Sequence, residues 1–186
     1  MGQPRAPAAA VTTRMTADEL RAVCYRVKAH VAEAAAGLFE RSKRTLVGTG
    51  SYEGFIAEAL AQVPNASAPH NPGEYGFLIY AQTAAQVHTR VTDIMPGDVV
   101  VLEGARLKGH QGLHTYSMSV GEASPCMGIV SDFDAKKLKL KALQANQRVG
   151  PRGKKSTSSM RCDTLLNVYP FSLFLVKTLF SRPWNR

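Results

Sequence analysis

The side chains that could do chemistry in this sequence are few and widely spaced. Its three cysteines, Cys24, Cys126 and Cys162, are an odd number with no close pair. That excludes a closed disulfide framework and the Cys/His spacing of about two to four residues that a zinc site requires. Cys24 shares an apolar helical stripe with Leu20, Val27 and Val31, where a free thiol behaves as a small hydrophobe rather than a nucleophile. Cys126 follows Pro125 and opens an apolar run. It reads as a small residue filling a strand position, the alternative being a thiol without a base. His110 and His114 lie four residues apart beside Lys108, flanked by Gly109 and Gly112. This favours a solvated loop or a binding surface. A displaced general base and a metal half-site are the alternatives, and no third ligand of the right type is near in sequence. No metal and no cofactor is implied. Gly48-Thr49-Gly50-Ser51 precedes a helical pattern, as a phosphate cradle would, but the Gly-Lys-Ser/Thr continuation is missing. A helix-entry turn is the better reading.

The elements that must position these residues fall into two groups. Thr16 and Glu19 have the spacing of a capping box, and Leu20, Val23, Val27, Val31, Ala34, Ala35 and Leu38 continue at helical period, with Gly48 as the expected stop. A second helix follows Ser51, with Phe55, Ile56, Ala59, Leu60 and Val63 inward and Pro64 as its end. Beyond a Pro/Gly/Asn-rich loop the period changes. Tyr75–Tyr80, Val99–Leu102 and Met127–Ser131 read as strands, and 85–91 stays open between strand and helix. Residues 104–120 read as a loop with a strand at Leu113–Val120. Leu138, Leu140 and Ala142 alternate with Lys137, Lys139 and Lys141, as in a half-buried strand with a solvated lysine face. Helices first and antiparallel strands afterwards is the α+β order.

A length of 186 residues suits one domain with loose ends. The formal charge of +9 suggests a nucleic-acid binder until it is divided along the chain. Residues 1–150 carry a net +3, and residues 151–186 a net +6. A basic tail on a nearly balanced domain does not make a nucleic-acid surface. No apolar stretch is long enough to span a bilayer, no secretory signal is visible, and free cysteines suit a reducing, cytoplasmic compartment.

Four strings then carry a resemblance: Gly50-Ser51-Tyr52-Glu53-Gly54-Phe55-Ile56, Leu78-Ile79-Tyr80-Ala81-Gln82, Asp93-Ile94-Met95-Pro96-Gly97-Asp98-Val99-Val100 and Lys108-Gly109-His110-Gln111-Gly112-Leu113. Together they resemble the C-terminal cysteine-proteinase-fold domain of a fungal, SH3-containing, myosin-I-binding scaffold of cortical actin patches. The order of parts is also similar to the NlpC type of papain-like peptidase, in which an Asp-Cys-Ser-Gly-Phe string opens the nucleophile helix and a His-x-Gly-Ile string supplies the base. Matching Gly54-Phe55 to the first string puts Tyr52 at the nucleophile position. Matching Gly128-Ile129 to the second puts Cys126 at the base position. The resemblance therefore implies a papain-like fold with both catalytic types missing, because a phenol with a pKa of about 10 is a poor nucleophile at neutral pH. It also implies a non-catalytic protein-interaction module at the cell cortex or actin patches, with endocytic partners. An active thiol hydrolase or amidase, with Cys126 and His110 or His114 rearranged into a new site, is the alternative.

The expected organisation is a flexible leader over 1–14, the domain over 15–149 and an atypical tail over 150–186. The resemblance stops before Pro151-Arg152-Gly153-Lys154-Lys155. Gly153-Lys154 is how an in-frame splice donor would translate, so intron read-through is one origin of the tail, and a genuine basic-apolar tail the other. Read-through would leave the domain incomplete and a sheet edge uncovered.

Overall fold

The computed structural model describes residues 17–64, 66, 75–84, 86–111, 114–136, 139–149, 155–165 and 173–178. The leader and Thr16 of the expected capping pair lie outside them. Two helices, α1 (Ala17–Ser42) and α2 (Tyr52–Ala61), precede β1 (Phe77–Thr83), β2 (Gln86–Arg90), β3 (Val99–Glu103), β4 (Ala105–Gln111), β5 (His114–Val120), β6 (Cys126–Asp134), β7 (Lys139–Val149), β8 (Lys155–Leu165) and β9 (Leu173–Thr178). The strands form one sheet in the order β2-β1-β9-β3-β6-β7-β8-β4-β5, and the pairings between its strands are antiparallel.

Helix α1 ends at Ser42, short of the expected stop at Gly48. Ser42 is buried and donates to the Phe39 carbonyl (2.7 Å), while Val47 is drawn into the core, so burial rather than a glycine cap sets the end. Gly48 instead takes a left-handed φ of 52° in the turn before α2, where a β-carbon would run into the backbone of Gly54. Ser51 caps α2: its hydroxyl accepts from the Gly54 amide at 3.1 Å.

Helical and strand periods meet in one core. Val31, Ala35, Leu38, Phe39, Phe55, Ile56, Ala59 and Leu60 pack on Val99, Val101, Met127, Ile129, Leu143 and Ala145. The alternate residues Val100, Leu102, Cys126, Val130, Leu140 and Ala142 form a second cluster with Ile79, Ile94 and Ala105. Both faces of β3 are thus buried, which is why Val99–Leu102 is continuously apolar. The second face is enclosed because the sheet curls. β3 passes through Gly104 (φ 57°) directly into β4, yet β4 pairs at the far side with β8, through Lys108↔Leu165.

The Pro96-Gly97-Asp98 turn joins the helical layer to the sheet. Gly97 donates to the Val130 carbonyl and Val130 donates to the Asp98 carbonyl, each at 2.8 Å, and Asp98 Oδ2 accepts from Met95 N at 2.9 Å. Lys28 of α1 reaches Asp98 Oδ1 at 2.7 Å, with both side chains buried. A side chain on Gly97 would collide with the Lys28 carbonyl, so glycine permits this close approach.

Two further differences from expectation follow from non-local pairing. Ala105–Gln111 forms strand β4 rather than a loop, while the strand expected at Leu113–Val120 is present as β5, with the backbone of Ala105 to Gln111 laddered against His114 to Val120. The tail does not leave the edge of β7 bare. β8 pairs with β7 from Lys139↔Leu165 to Val149↔Lys155, and β9 lies inside the sheet.

Candidate functional site

The first residue of α2 is Tyr52, set there by the Ser51 cap. The glycine-rich turn serves this cap: Thr49 and Ser51 hydroxyls lie 3.0 Å apart, and Ser51 occupies the Gly54 amide at the positive end of the helix. Tyr52 is half-buried and packs against both apolar clusters, so it stands where the helical layer meets the curled sheet. A thiolate here would have the helix dipole in its favour; a tyrosine supplies a phenol and packing surface.

Cys126 opens β6 opposite Leu102 of β3 and is 3% exposed. Its Sγ donates to Gln144 Oε1 of β7 at 3.1 Å, and Gln144 is itself buried. Gly128 makes the contact possible. It lies on the same face of β6, and a β-carbon there would meet the Leu143 carbonyl at 2.8 Å and crowd Ala142 and Gln144. In a nucleophile–base–orienter site the base is held by a third polar group. The Cys126–Gln144 pair shows only a buried thiol held on an amide oxygen. Sequence reasoning missed Gln144 altogether; its signal, a polar residue on the inward side of an alternating strand, is weak without knowing which face is enclosed.

The histidines are not brought to this pair by the strand order. His110 lies on β4 opposite Thr115, and His114 begins β5 opposite Gln111, while β7 and β8 separate β6 from β4. Lys108, on β4, stands between Ser117 of β5 and Leu165 of β8. These three therefore belong to the hairpin at the outer edge of the sheet. Cys24 is partly exposed on α1 rather than fully packed; among the described side chains of α1 the first buried one is Lys28. His30 lies with Glu33, Gly37, Gln62 and Pro64 along an open groove, at the opposite end of α2 from Tyr52. Among the described residues no three of the His, Cys, Asp and Glu side chains come together as a metal site. No described helix is long and apolar enough to cross a membrane.

Among the described residues two ionisable groups are displaced from their usual range, both outside this region. Asp132 is held below it by the hydrogen bond and charge of Lys141, 2.9 Å away. Burial raises Tyr80, against a smaller opposing effect of Arg90, and its hydroxyl donates to Gln82 at 2.6 Å.

An SH3 domain-containing protein of Schizosaccharomyces pombe is 29% identical over 102 residues, which is 54% of this chain and 6% of that protein. This chain thus spans a small fraction of the relative it matches. No solved structure matches. Residues 5–167 match the family described as the AIM3/BBC1 cysteine proteinase-fold domain, and that stretch includes α1, α2 and β1 to β8. With two helices on a curled antiparallel sheet, and a match over most of its length, this α+β chain belongs to the AIM3/BBC1 cysteine proteinase-fold family.

Proposed function

We propose that the domain is a non-catalytic protein-interaction module that keeps the shape of a cysteine proteinase. The observation that carries this reading is the thiol of Cys126, shut inside the curled sheet on Gln144, while the helix mouth holds Tyr52. Hydrolysis of an amide by a thiol needs an accessible thiolate with a base in reach. A rearranged Cys/His hydrolase would need Cys126 in an open cleft beside His110 or His114, and burial and strand order count against it. The SH3 domain in the fungal relative's name supports a scaffold setting. By the resemblance, the module acts in the cytoplasm at cortical actin patches, with endocytic partners that include type I myosins. The β4–β5 hairpin with Lys108, His110 and His114 is the proposed contact surface, since it forms one outer edge of the sheet. We further propose that the working unit runs through β9 rather than ending at residue 149.

Two measurements test this. Native protein treated with iodoacetamide leaves Cys126 unlabelled and shows no amide or thioester hydrolysis; stoichiometric labelling of Cys126 together with turnover would overturn the reading. A fluorescent fusion concentrates at actin patches, and alanine at Lys108, His110 and His114 together disperses it. A uniform distribution of the unsubstituted fusion would remove the cortical assignment.

A further inference from the structure

Strand β9 holds two parts of the sheet together. It pairs with β1 from Phe77↔Thr178 to Thr83↔Leu173, and with β3 from Val99↔Lys177 to Glu103↔Leu173. Among the described residues the β1–β2 hairpin reaches the rest of the sheet's ladder through β9. The main packing of α1 and α2 falls on β6, β7 and β8, so this wing lies beyond the helical layer, tied by side chains such as Ile79 in the second cluster. Leu78, Val87 and Val91, three exposed large apolar residues, also sit on the wing.

The chain path sets the occupant of this slot. Following the antiparallel pairings across the sheet, β8 and β9 run in the same direction, with β7, β6 and β3 between them. Parallel strands are ordinarily joined by a dozen or more residues; here residues 166–172 make the connection. So few residues before a strand with ladders on both sides is the arrangement that favours exchange of the strand between copies.

We propose that the slot between β1 and β3 is an exchangeable strand site, filled in cis by Leu173–Thr178 and in trans by the same strand of a second copy. The reciprocal exchange gives a closed dimer in which each copy completes the other's sheet. It uses the ladder already present and adds no new contact inside the domain. The inference is independent of whether the domain is catalytic.

The test uses full-length chains. One carries Glu103→Cys and another Leu173→Cys, positions that are direct partners across β3 and β9. After co-incubation at high concentration and mild oxidation, a covalent heterodimer is expected at about ten times the yield obtained when Val91→Cys replaces Glu103→Cys. A chain carrying both substitutions closes its own disulfide and stays monomeric. Heterodimer at the control yield overturns the proposal. So does displacement of β9 by a free peptide of residues 172–179 when no dimer forms under any condition. Native hydrogen exchange on the unsubstituted protein gives a second reading. β9, β1 and β2 amides opening together, ahead of β6 and β7, supports exchange, and β9 protection equal to that of β6 overturns it.

Discussion

Replacing Tyr52 by cysteine would put a thiol at a capped helix mouth, the setting in which thiol pKa values fall. On the proposed non-catalytic reading, the Tyr52→Cys variant is expected to react faster with iodoacetamide than the buried Cys126 does, and still to hydrolyse no amide. Mass spectrometry of labelled peptides and a peptide-amide assay check both halves. Gly128→Ala is expected to cost about 1–3 kcal/mol in urea unfolding, since its methyl meets the Leu143 carbonyl and crowds Gln144. Asp132 supplies a pH test. Its folded carboxyl titrates below the unfolded one, so its contribution is present above the unfolded pKa and is lost as pH falls through the folded pKa. Carbon-detected NMR should show this low titration, and Lys141→Met should return Asp132 toward the ordinary carboxylate range. At this scale the sequence was partly legible. That Tyr52 opens a helix and Cys126 a strand could be read from local pattern, whereas the Gln144 contact could not, because its partner lies eighteen residues away on another strand.

At the scale of elements, the joint between α1 and the sheet depends on the buried Lys28–Asp98 pair. Lys28→Met leaves a buried carboxylate without its cation and is expected to lose about 3–5 kcal/mol in denaturant unfolding, more than the double variant Lys28→Met/Asp98→Leu. A larger loss in the double variant would mean that the turn itself, rather than the ion pair, needs the carboxylate. Ser51→Ala is expected to cost about 1 kcal/mol through the lost cap. The elements themselves were readable where a period was clear: both helices, β3, β6 and the lysine-faced β7. Strand β4 of the β4–β5 hairpin was not, because Gly109, Gly112 and two histidines look like loop in isolation, and its ladder is decided by the partner strand.

For the molecule as a whole, the C-terminal strands matter most. β9 is an internal strand with neighbours on both sides, where proline cannot supply the required amide. Leu175→Pro is therefore expected to strip order from β1 and β2 while α1, α2, β6 and β7 keep theirs, as read by amide NMR. Loss of the whole spectrum would show instead that the wing and the helical core fold as one unit. The clustering of Leu78, Val87 and Val91 on that wing gives the same region its exposed apolar character.

From the amino-acid order alone came the α+β class, the two amphipathic helices, the Pro-Gly-Asp turn and the tyrosine at the helix mouth, because each is written in spacings of a few residues. Tertiary structure decided the rest: which face of β6 is enclosed, that Cys126 meets Gln144, and that β9 lies between β1 and β3. The physical reason is that a strand's hydrogen bonds are satisfied by residues far along the chain, so its own sequence reports that it can pair but not with what.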